Sequence, residues 1–135
     1  MVKKCLCEAG EVLIFPCSGG SNCGQIANQA AVQLTEEGVG TIYCLAGISA
    51  HDSVMIDTAK AAKRVVAIDG CSTACAKRTL EHAGLMVTDH LDVTEEGIEK
   101  VHDFKLSPQD ISSISAKVRK RLGQTIIPGY DLAEA

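Results

Sequence analysis

Four residues of this chain have the type and spacing to do chemistry together: Cys17, Cys44, Cys71 and Cys75. The first three each follow or close a short apolar run. Residues 12–15 end at Pro16-Cys17, Thr41-Ile42-Tyr43 runs into Cys44-Leu45, and residues 64–68 lead through Asp69-Gly70 to Cys71. Cys75 lies four residues beyond Cys71, which puts it one turn into an expected helix and on the same helical side. Runs of this length read as strands, and in an open parallel sheet strand ends share the carboxyl edge where ligands bind. Neighbouring strands stand about 4.8 Å apart, so three strand ends lie within about 10 Å. Four thiols gathered there can surround one tetrahedral ion through Zn–S bonds of about 2.3 Å. Zinc is therefore the cofactor the pattern predicts, with an iron–sulfur cluster the less favoured use. A closed set of four ligands makes the ion structural or stored, whereas three ligands and a water leave room for metal-assisted chemistry.

Two other chemistries compete. Cys71/Cys75 or Cys17/Cys23 could act as reactive thiols in redox or sulfur transfer, because a thiol at a helix start is activated by the positive end of the helix. The spacing C-x3-C is one residue longer than the thioredoxin motif, and Cys23 stands where a phosphatase loop of the form C-x5-R would need arginine. The third reading is a small-anion site. Ser18, Gly19, Gly20, Ser21, Asn22 and Gly24 can present several backbone N–H groups ahead of a helix, but the Gly-Lys-Ser/Thr ending of a nucleotide loop is missing. Cys23 is a possible additional thiol beside the same crevice. Asp69 is expected to accept backbone N–H bonds within its own turn. His51, His82, His90 and His102 are scattered; only His51, after the second strand, lies near the predicted edge.

The elements that must position these residues alternate regularly. Strand one, residues 12–15, is followed by a helix over about 24–37, with Ala27, Ala30, Ala31 and Leu34 at helical spacing, a cap at Ser21 or Asn22, and a stop at Gly38. A second strand covers residues 41–45. The next helix spans about 52–63, with Val54, Thr58 and Ala61 or Ala62 on one face. Strand three, residues 64–68, is wholly apolar at its centre and so buried on both sides. A helix from Ser72 or Thr73 to Gly84 follows, then a fourth strand within residues 85–93 and a short helical turn at Thr94-Glu95-Glu96. The final helix is capped by Ser107, opened by Pro108 and striped by Ile111, Ile114, Val118 and Leu122. Strands joined by crossover helices give an α/β three-layer sandwich with a parallel sheet of about four strands, flavodoxin- or Rossmann-like.

Apolar residues make up 46% of the chain and aromatics 3%, so Val, Ile, Leu and Ala must build the core. Residues 11–124 form one predicted domain, with a cysteine-containing extension at 1–10 (Cys5, Cys7) and a tail at 125–135. The net charge of -4 is well mixed. Lys117, Arg119, Lys120 and Arg121 read as the solvated end of the last helix, not as a nucleic-acid footprint. No apolar stretch reaches the length of a membrane span, and Lys3 and Lys4 are not followed by a secretory apolar region. Clustered cysteines without such a leader point to a reducing, cytoplasmic setting. Neither nucleic acid nor membrane is expected as a partner; a protein partner or small-molecule substrate is left open.

Three motifs, in this order, carry a resemblance to a known family. They are Pro16-Cys17-Ser18-Gly19 with Ser21-Asn22 and Gly24; Cys44-Leu45-Ala46-Gly47; and Asp69-Gly70-Cys71 with Cys75. Over about residues 12–105 the chain resembles the DGC-domain family, named for its Asp-Gly-Cys motif and regarded as zinc-binding. The resemblance implies Cys17, Cys44, Cys71 and Cys75 as chelating residues and brings no established activity with it. Cys23 lies outside the family pattern.

Overall fold

A computed structural model describes residues 11–124; the expected extension with Cys5 and Cys7 and the expected tail lie outside the described residues. Four strands form one wholly parallel sheet in the order β2-β1-β3-β4. They are β1 (Val12–Pro16), β2 (Thr41–Ile42), β3 (Arg64–Asp69) and β4 (Asp89–Asp92). The helices are α1 (Asn22–Glu36), α2 (Leu45–Ser49), α3 (Ser53–Lys60), α4 (Cys75–His82) and α5 (Pro108–Gln124), with a 3-10 turn at Val93–Glu96 before α5.

Alternation along the strands divides the core into two layers. Val12, Ile14, Val66 and Ile68 face α1 and α5, meeting Ile26, Ala30, Leu34, Ile114 and Val118. Leu13, Phe15, Val65 and Ala67 face the other way, onto Ile48 of α2, Ala59 of α3 and Ala76 and Leu80 of α4. The central strands β1 and β3 are buried at every residue, as two covered faces require. Ser21 caps α1 by accepting from the Gly24 N–H at 3.1 Å. Among the described residues no helix is long and apolar enough to cross a membrane.

Three local expectations need correction. The second strand stops at Ile42, and Cys44 is the exposed N-cap of α2, a helix the apolar run concealed. Tyr43 is buried in the link after β2, its N–H donating to the Ile14 carbonyl at 2.9 Å, and Ile48 is buried on α2 where the chain turns to cover the sheet. The helix after β3 begins at Cys75, not at Ser72 or Thr73, so Cys71 lies in the preceding turn and shares no helical face with Cys75. Val54 is 60% exposed, and the buried pair of α3 is Thr58 and Ala59.

Candidate thiolate site

The chain leaves β1 in one direction to reach β2, then crosses back over β1 to reach β3. The strand order therefore reverses between β1 and β3, and ligands of such sheets bind beyond the strand ends at that point. A cavity of about 280 Å³ opens there. Cys17 enters it from the end of β1, Cys71 from the turn after β3, and Cys75 from the first residue of α4.

Two glycines let the loops meet. A side-chain carbon on Gly70 would lie 2.6 Å from the Gly24 nitrogen, and one on Gly24 would lie 2.5 Å from the Gly19 oxygen. Neither position has room for a methyl group. Two non-glycine residues beside the site, Ser18 (φ 51°) and Ala74 (φ 55°), take the left-handed conformation, a cost that the surrounding packing must offset.

Asp69 reaches past its own turn. Its carboxylate accepts from the Ala76 and Lys77 N–H groups at 2.7 and 3.2 Å and lies 2.9 Å from His90 Nε2. The Ala74 side chain cannot cap α4, so Asp69 satisfies the donors at its start. The Asp-Gly-Cys segment thus anchors the next helix, admits the neighbouring loop and presents a thiol.

The thiols differ in environment. Cys71 Sγ lies 3.5 Å from Thr73 Oγ1 and 3.4 Å from Lys100 Nζ. Hydrogen bonds from Thr73, side chain and backbone, and the Lys100 ammonium hold its pKa below the ordinary thiol value. Cys17 is half-buried; burial raises its thiol pKa against the opposing hydrogen bonds from Gly19 and Gly70. Cys23 is fully buried between α1 and the chain before α5, its Sγ 3.7 Å from the Ile98 carbonyl, and burial pushes its thiol up. It does not line the cavity. Cys44 borders an adjoining cavity of about 470 Å³ with Cys17, which stands between the two spaces.

Three donors of the glycine-rich loop are occupied within the fold. The Gly24 N–H serves the Ser21 cap, the Ser21 N–H donates to the Gly19 carbonyl, and the Asn22 N–H donates to the Val101 carbonyl. The Asn22 side chain completes a clamp, accepting from the Val101 N–H at 2.7 Å and donating to the Glu99 carbonyl at 2.8 Å. This clamp holds residues 99–101 beside the cavity, where Lys100 and His102 form part of the wall. Sequence spacing offered no signal for Lys100, because it joins the site through a contact between distant segments. His51 lies elsewhere, against His82 with ring centroids 5.9 Å apart.

As a metal centre, the donor chemistry is suitable but the placement is not. Among the described residues no three His, Cys, Asp or Glu side chains converge closely enough to hold one ion. Four-thiolate coordination would require the exposed Cys44, which borders only the adjoining cavity, to move toward Cys17, Cys71 and Cys75.

A DGC-domain family model matches residues 13–118. Over 110 residues the chain is 28% identical to the anaerobic and virulence modulator AnvM of Pseudomonas aeruginosa, an alignment covering 82% of this chain and 84% of that protein. No solved structure matches the chain significantly.

Proposed function

The chain belongs to the DGC-domain family, and from that premise we propose that its site is a reactive thiolate centre with Cys71 as nucleophile. The carrying observation is the Lys100 ammonium 3.4 Å from Cys71 Sγ, in a cavity that also receives Cys17 and Cys75. A thiolate is the nucleophilic form of cysteine, and a neighbouring cation with hydroxyl donors raises its share at neutral pH. Cys71 is partly exposed, so an electrophile can reach it. Cys17, held neutral by burial, is a poorer first nucleophile and a nearby second thiol. The relative's name describes a modulator, and a protein whose state changes when one thiol is modified suits that kind of role.

Zinc binding by Cys17, Cys44, Cys71 and Cys75 is the second reading. It is favoured by the position of Cys17, which borders both the cavity of Cys71 and Cys75 and that of Cys44. Binding would require the side-chain movement described above, and no chemical step is assigned to the ion.

Timed alkylation of the purified, reduced chain, mapped by peptide mass, separates the two when run beside a metal assay. Preferential labelling of Cys71 at neutral pH in metal-free protein supports the thiolate centre. About one equivalent of zinc, protecting several cysteines at once and lost in Cys71→Ser, would replace it with the metal reading.

A further inference from the structure

We infer that the electrophile suited to this site is a small oxyanion bearing a sulfane sulfur, of the thiosulfate or thiosulfonate class. The inference rests on Cys71 being the nucleophile. The Asn22 clamp holds residues 99–101 on both sides of Lys100, whose ammonium then meets the Cys71 sulfur. His102 lines the same wall. Among the described residues the one acidic side chain on the cavity is Asp69, its carboxylate engaged by two α4 amides and the His90 ring. Lys100 places one positive charge beside the Cys71 sulfur, which favours the approach of an anion and offsets part of its repulsion by the thiolate.

Size and reactivity narrow the class. The cavity of about 280 Å³ suits a small ion better than a peptide disulfide. A neutral peroxide would gain little from Lys100. A sulfane-sulfur oxyanion is both anionic and soft, and it reacts with one thiolate without an added oxidant.

The step balances. The Cys71 thiolate attacks the outer sulfur of thiosulfate and a new S–S bond forms. The donor's S–S bond breaks, and its electron pair leaves with sulfite. Cys71 is left as a persulfide anion; total charge is conserved and no proton moves.

The test is incubation of the full, reduced chain with thiosulfate, followed by intact and peptide mass measurement and a sulfite assay. The expected result is one added sulfur atom on Cys71 with one sulfite released. In Lys100→Met the thiosulfate reaction slows on the order of tenfold, while alkylation by neutral iodoacetamide falls much less. Asn22→Ala, which releases the clamp and leaves Lys100 intact, shifts the two rates in the same sense. Circular dichroism confirms that each variant is folded. Rapid alkylation of Cys71 without sulfur uptake overturns this inference and leaves the thiolate reading standing. Equal slowing with both reagents also overturns it, since charge selection is then absent. Failure of Cys71 to react preferentially with iodoacetamide removes the thiolate reading itself.

Discussion

The backbone amide of Gly70 donates to the sulfur of Cys17 at 3.2 Å, joining the turn after β3 to the loop after β1 through a thiol. The two motifs therefore form one site, closed by the approach of Gly70 to Gly24. Gly70→Ala should destabilise the fold by about 1–3 kcal/mol, because the methyl group meets main chain and not a yielding side chain. Thermal denaturation measures the loss. Cys71 alkylation should lose its preference in the same variant; an unchanged melting temperature would show that the loops separate without cost.

The pH profile should distinguish the thiols. Cys71 lies below the ordinary thiol value of 9.0 because Thr73 and Lys100 favour its anion, so its alkylation midpoint falls below that pH. Cys17 lies above 9.0 because burial favours the neutral thiol, so its midpoint is higher. The signs for stability are opposite. The Cys71 contribution grows as pH rises toward 9.0, whereas that of Cys17 is complete below 9.0 and is lost as pH rises through its folded value. Alkylation rates resolved by peptide across this range check the order.

Asp69 should matter to stability as well as to the site. Asp69→Ala leaves the Ala76 and Lys77 amides without their acceptor at a poorly capped helix start. A loss of about 1–3 kcal/mol is expected, with Asp69→Asn milder because one amide oxygen remains. Urea denaturation of the two variants provides the comparison, and equal losses would argue against an acceptor role.

A control lies near the opposite end of the sheet. Buried Arg64 pairs with Asp89 through Nε–Oδ2 at 2.8 Å and Nη2–Oδ1 at 2.5 Å, joining the start of β3 to that of β4. Arg64→Met should cost about 3–5 kcal/mol by stranding the carboxylate, and the double change with Asp89→Leu should recover much of it. Under conditions where both variants remain folded, the ratio of Cys71 to Cys17 alkylation should stay as in the unaltered chain. A changed ratio would show that the sheet's two ends are coupled.

Much of the framework is legible in local patterns. The apolar runs of β1 and β3 specify strands covered on both faces, and the spacing of Ala27, Ala30, Ala31 and Leu34 specifies the buried side of α1. The motifs after those strands place Cys17 and Cys71 at one sheet edge. The same rules miss α2, since Tyr43-Cys44-Leu45 is apolar enough for a strand and its helix lasts only from Leu45 to Ser49. They also start α4 too early, because Ser72 and Thr73 are good caps locally while the Asp69 carboxylate meets amides at Ala76 and Lys77.

The sequence by itself determined the layered parallel sheet and the strand-end positions of Cys17 and Cys71, because side-chain periodicity and turn chemistry act over a few residues. Only the tertiary structure decided which thiols share a cavity, that Cys23 is buried away from it, and that Lys100 stands against Cys71. Those relationships depend on contacts such as Asn22 to Val101, across 79 positions of chain, where no local period carries information. The physical reason is that burial patterns specify which face an element hides, while convergence of reactive groups depends on where distant segments cross.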